Sequence, residues 1–138
     1  HFLKRMQQLF SHKPHDGVNE MPLLRHLIAV YKLWHECVPR FPRPVRHTLG
    51  AKIDSLLIDL LELCFRAGFA PKDKKLEIIV KMSRFLDLVK FFMRVLWDIK
   101  MLSHGQYGNL ATSLIKAGKM LGGWKRMLEE RRPAQGGA

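Results

Sequence analysis

Arg40, Arg43 and Arg46, with His47 beside them, form the stretch best suited to a chemical task, and that task is gripping phosphate. A guanidinium presents a planar fork of donors that matches a phosphate bidentately. Prolines at 39, 42 and 44 stiffen the segment, so the arginines lose less entropy on binding. Phe41 is interleaved among them and offers a ring on which a base can stack. The competing reading is an Arg-rich connection that pairs with the acidic ends of neighbouring helices. A second cluster is Lys90 and Arg94, four residues apart, with Arg84 lower on the same helix. Between apolar stripes they predict a narrow positive ridge, although solvated charges give the same pattern. A third is Lys116, Lys119, Lys125 and Arg126, followed by Arg131 and Arg132. Cations gather near helix C-termini without any ligand, so part of this cluster needs no polyanion.

Other chemistry finds less support. Asp54 and Asp59 are five apart and do not share a helix face, while Asp59 and Glu62 lie beside Lys52 and Arg66 as a solvated ion-pair ridge. His12 and His15 flank Pro14 in a loop without further ligands. His26 and His35 are too far apart to share a metal, and His104 has local stacking or hydrogen bonding open to it. Glycine-rich phosphate loops, GxSxG and HExxH are all missing from the sequence. The expectation is a protein that is not an enzyme and has neither a metal nor a cofactor. Cys37 and Cys64 stand alone in apolar patterns, which fits buried free thiols in a reducing cytoplasm.

The totals point the same way. Lys and Arg number 24 against 12 Asp and Glu, a formal charge of +12 in 138 residues. Such an excess favours a polyanionic partner, nucleic acid before an acidic protein or an anionic membrane. Hydrophobic residues make up 47%, enough for one domain with its own core. No apolar run is long enough to span a membrane, and none at the start suggests a signal peptide.

The elements that must position these charges are helices. Residues 74–102 contain neither Pro nor Gly. Ile78, Met82, Phe85, Val89, Phe92, Leu96 and Ile99 recur every three or four residues, the spacing of one helical stripe. Leu88, Phe91 and Val95 lie beside it and widen the apolar surface beyond what one neighbour needs. They are expected to be an oligomer interface. An earlier helix spans about 21–38, with Leu24, Leu27, Ile28, Tyr31, Trp34 and Val38 inward. Another spans 45–67, with Leu49, Ile53, Leu56, Leu57, Leu60, Leu61 and Cys64 inward and Gly68 as its cap. The last spans 103–130, with Ser103 as N-cap and Tyr107, Leu110, Leu114, Ala117, Leu121, Trp124 and Leu128 on one face. Gly118, Gly122 and Gly123 weaken it, which predicts a backbone approaching closely there. Residues 1–20 read as an N-terminal extension and linker, with a basic amphipathic piece at 1–10. Residues 21–138 read as an all-α, up-down-up-down antiparallel four-helix bundle with a frayed basic tail. An α-solenoid is the alternative, but no internal repeat supports it.

Three segments carry a family resemblance. Arg46-His47-Thr48-Leu49-Gly50 resembles the opening of the second helix in a four-helix-bundle family. That family holds the accessory variability determinant (Avd) proteins of diversity-generating retroelements and the ribosomal-RNA intervening-sequence proteins. Lys90-Phe91-Phe92-Met93-Arg94, then Asp98-Ile99-Lys100 and Leu102-Ser103, is similar to its third helix and exit. Gly118-Lys119-Met120-Leu121-Gly122-Gly123-Trp124 is similar to a motif near the end of its fourth. The resemblance runs over about 21–128, in order. It implies a non-enzymatic, pentameric barrel with a positive surface that binds RNA or DNA and a reverse transcriptase. By motif, Lys90 and Arg94 fall at charge-bearing positions, and changing both to Glu is expected to abolish RNA binding. The rival expectations are an RNA-associated bundle with no polymerase partner and a membrane-active basic bundle led by residues 1–10.

Overall fold

The computed structural model describes residues 20–130, with side chains from 22 onward. The expectations for the N-terminal extension, and for the tail with Arg131 and Arg132, lie outside the described residues. Four long helices carry the fold: α1 (Glu20–Cys37), α2 (Ala51–Phe69), α3 (Lys72–Asp98) and α4 (His104–Glu130). A 3₁₀ turn at Val38–Arg40, a helical turn at Arg43–Val45 and a π turn at Arg46–Gly50 lead from α1 into α2. No strand occurs among the described residues.

The π turn explains a motif. A Cβ on Gly50 would lie 3.2 Å from the Val45 carbonyl oxygen and 3.7 Å from the Phe41 ring, so the wide turn leaves room for glycine alone without a shift. Thr48 closes the turn with a hydroxyl bond to the Pro44 carbonyl at 2.8 Å.

Each helix packs on its neighbour in sequence, and α4 closes the ring against α1. The pairings run antiparallel. Near the start of α1, His26 Nε2 meets the Ser113 carbonyl at 2.8 Å, while its end lines a groove with Gln106, Asn109 and Leu110. Lys75, near the start of α3, donates to the Ala67 carbonyl at the end of α2, at 2.8 Å. This is an up-down-up-down bundle.

The core of α4 is the face that periodicity predicts: Leu110, Leu114, Ala117, Leu121, Trp124 and Leu128 are buried. On α3 the stripe is rotated. Ile79, Met82, Leu86, Val89, Met93 and Leu96 are buried, and Ile78, Phe85 and Phe92 sit half-buried beside them. Ile99 lies past the helix end and is exposed. On α1 the buried positions include Leu23, Val30 and Cys37, while Ile28 and Tyr31 lie at the margin, as does Val38 in the turn that follows; on α2 they include Leu63 and Ala67, with Leu61 at the margin, as is Leu49 in the π turn before it.

Helix ends also differ from expectation, for local reasons. Gly68 is not a cap. α2 runs on to Phe69 and stops because Ala70 precedes Pro71, which drives it to an extended φ of −80° and ψ of 150°. The described glycines all have negative φ. Instead Lys100 takes the left-handed position, at φ 66°. Its N–H reaches the Trp97 carbonyl at 2.9 Å, and the Met101 N–H reaches Leu96 at 2.8 Å. This pair of bonds makes a Schellman ending to α3 at Asp98, with lysine where glycine is usual. Lys100→Gly should therefore raise stability by about 0.5–1 kcal/mol, seen as a higher urea midpoint with an unchanged slope. Ser103 does cap α4. Its hydroxyl accepts from the Gln106 N–H at 3.1 Å, and the Gln106 side chain returns a bond to the Ser103 N–H at 2.9 Å.

The close backbone approach expected at the α4 glycines is not there within one chain. A Cβ on Gly118 would meet the Lys90 ammonium at 3.3 Å and Leu86 at 3.6 Å, and at Gly122 and Gly123 only Arg126 comes within 4 Å.

Candidate nucleic-acid interface

The bundle sorts the cations by height. The α1–α2 and α3–α4 connections share one end, because the helices alternate in direction. Arg40, Arg43, Arg46 and His47 are exposed there, together with Lys100 and His104. Among the described residues, none of Arg40, Arg43 and Arg46 makes an ion pair, so the reading of an arginine loop tied to acidic helix ends fails. Arg46 is partly engaged, donating to the Phe41 carbonyl at 3.3 Å. Phe41 itself is not a base platform. It is 3% exposed and packs on Trp34 at 5.6 Å between ring centroids.

Lys90 and Arg94 follow one line of α3, but they differ in what they meet. Arg94 pairs with Asp98 at 3.0 Å and lies over the Trp97 ring at 5.6 Å. The positive ridge is therefore neutralised at its upper end. Lys90 has no acidic partner among the described residues. Its ammonium lies across the α3–α4 seam against Gly118, in a groove of about 310 Å³ shared with Ser83, Asp87, Ile115 and Lys119. Arg84 and Lys116 are exposed without an ion pair among the described residues. Lys125 and Arg126 stand at the opposite end of the bundle from the arginine connection. The sequence clusters thus form one cationic end, one seam and one far group rather than a single patch.

The local stacking and hydrogen bonding expected of His104 occur, but sequence reasoning missed the planar cluster they belong to. Trp97 stacks on Tyr107 with centroids 4.5 Å apart and planes at 1°. His104 meets Trp97 edge-on at 5.7 Å and accepts its Nε1–H on Nδ1 at 3.2 Å. A cavity of about 450 Å³ opens beside them, lined by Trp97, Asp98, Lys100, Leu102, Ser103 and His104. The signal was present only as a half-used face around the turn: Trp97 before it, His104 and Tyr107 after it.

The expected interface residues lie on the outside. Phe91 is 58% exposed and Leu88 41%, with Val95 half-buried. They continue one another at spacings of three and four, and Phe91 and Phe92 touch at 5.3 Å. Ile58 and Ile115 are exposed on α2 and α4. Cys37 and Cys64 are buried, and neither is in a disulfide. Burial pushes the Cys37 thiol up, away from reactivity. Among the described residues no group of three His, Cys, Asp or Glu is placed to hold a metal ion, and no helix is long and apolar enough to cross a membrane.

A basic four-helix bundle with cations at one end and an uncovered apolar stripe is the class these features define. A family model described as bAvd-like matches residues 23–128, and the chain belongs to that family. No curated protein and no solved structure matches it.

Proposed function

We propose that the chain is an Avd-type accessory protein of a diversity-generating retroelement. It acts by scaffolding and is not an enzyme. Copies assemble through the outer face of α3, as the pentamer implied by the resemblance, and present their cations to template RNA and cDNA. A retroelement reverse transcriptase docks on the same assembly, which supports mutagenic cDNA synthesis in the cytoplasm. The observation that carries this reading is the bAvd-like match across the whole bundle. The net charge of +12 supports it, as do Arg40, Arg43 and Arg46 at one end, which make no ion pair among the described residues.

Counterion release provides the test. Each phosphate neutralised on a single strand contributes about −0.7 to the slope of log affinity against log salt. Six contacts give a slope of about −4, read by filter binding of an RNA between about 50 and 200 mM salt. Co-purification with a retroelement reverse transcriptase tests the second partner. Absence of RNA binding at about 50 mM salt sinks the proposal. RNA binding without capture of the polymerase assigns the chain to the intervening-sequence type instead.

A further inference from the structure

We propose that the α3–α4 corner is a stacking site for unpaired nucleobases, so the chain binds single-stranded nucleic acid in preference to duplex. This rests on the nucleic-acid reading above and adds to it where bases, rather than phosphates, are held.

Three observations meet at the corner. First, planar groups are gathered at the edge of the core, with Tyr107 packed against it and Trp97 and His104 outside it. Trp34 and Trp124 are 0% and 2% exposed, whereas Trp97 and Tyr107 are half-buried and His104 is exposed. Arg94 extends the stack, and an arginine plane over an aromatic ring is itself a surface for a base.

Second, the cavity has a mixed wall suited to a flat ligand with an anionic attachment. Trp97 and Leu102 give it apolar sides. Its other polar groups are already engaged: Asp98 accepts from Arg94, and the Ser103 hydroxyl accepts from the Gln106 N–H. His104 Nε2 and the Lys100 ammonium keep free hydrogen-bonding capacity among the described residues. A volume of about 450 Å³ lies within the usual range of small-ligand sites.

Third, Lys100 occupies a left-handed backbone position at φ 66°, where glycine is favoured. A side chain held there against backbone preference points to a use for it. Lys100 lines the cavity, on the same end as Arg40, Arg43 and Arg46. From there the α3–α4 seam leads to Lys90 and Lys119, with Lys90 two turns from Trp97, about 10 Å along the helix. A strand following that seam meets cations for its phosphates and rings for a base.

A duplex keeps its base faces inside its own stack, so only single strands gain here. Stacking one base on an aromatic side chain is worth roughly 5- to 150-fold in affinity. The test uses oligothymidylate and oligouridylate of about 12 nucleotides against a duplex of equal length, at about 100 mM salt, read by tryptophan fluorescence and filter binding. Quenching reports on Trp97, since the other two tryptophans are buried. Single strands should bind about tenfold tighter than duplex and quench the emission. Trp97→Leu should abolish the quench and lower single-strand affinity by about tenfold, leaving duplex affinity unchanged. Lys100→Gly guards against a folding artefact: it should fold more stably yet bind single strands more weakly. Equal affinity of the unmodified chain for both forms overturns the inference, as does a Trp97→Leu chain that keeps its preference. If neither form binds, the nucleic-acid reading itself falls.

Discussion

Leu88→Glu combined with Phe91→Glu is expected to leave a folded monomer. The two side chains are 41% and 58% exposed in the single chain, so their replacement removes little from its own core. Single exposed apolar residues are normal on a soluble surface. Leu88, Phe91 and Val95 differ because they form one line on one helix, continuous with the Phe92 ring. Such a stripe has a use when a second copy covers it. Burying each large side chain contributes about 1.5–3 kcal/mol, and a carboxylate in its place must also lose its water. With about half of each side chain already covered in the single chain, loss of both amounts to roughly 1.5–3 kcal/mol per contact, or about ten- to a hundredfold in dissociation constant, before the carboxylate penalty is added. Light scattering should show the variant at the chain mass of 16.1 kDa and the unmodified protein at a multiple of it. An unmodified protein already at that mass removes the interface from the proposal. Helix content by circular dichroism should not change.

The same helix shows what the sequence can and cannot reveal. On α4, glycines, lysines and polar residues interrupt every face but one, so periodicity alone selects the buried set. α3 is apolar over more than half its circumference. Its stripe through Phe85 and Phe92 is as regular as the one through Leu86 and Met93. Which stripe faces the core depends on neighbours that a linear pattern does not contain. Capping followed short-range chemistry, and Ser103 was readable for that reason. Lys100 was not, because nothing in its residue type announces a left-handed turn.

The candidate site divides similarly. Charge is countable, so the arginine connection and the α3 lysine were legible. Pairing was partly legible too: Asp98 sits four residues after Arg94, a spacing at which opposite charges meet on a helix. Phe41 looked available beside its arginines, but the turns that leave α1 fold it back onto Trp34. The Trp97–Tyr107 stack needs the register of two helices across a tight turn, and no spacing rule along one helix supplies that.

Asp54 is the other position where one substitution should matter most. In the sequence it is one member of a scattered carboxylate set; in the fold it ties α1 to α2. One of its oxygens accepts both the Tyr31 hydroxyl at 2.7 Å and the Trp34 Nε1–H at 3.1 Å. Trp34 is 0% exposed, so its N–H has no water to turn to if the carboxylate is removed. A buried donor left without a partner costs about 1–3 kcal/mol, and loss of the tyrosine bond adds about 1 kcal/mol. Asp54→Ala should therefore destabilise the chain by about 2–4 kcal/mol in urea unfolding, while Tyr31→Phe costs about 1 kcal/mol. The double variant should cost less than the sum, since both remove one shared bond. The bond to Asp54 also holds the Tyr31 hydroxyl above the ordinary tyrosine pKa, with burial adding to the effect. The folded state then keeps a proton that the unfolded chain has lost. That contribution is complete below the ordinary tyrosine value and disappears as pH rises through the raised one. Between pH 7 and strongly alkaline solution, the gap in stability between the unmodified chain and Tyr31→Phe should close. A gap that stays constant across that range sinks the assignment of Asp54 as the acceptor that binds α1 to α2.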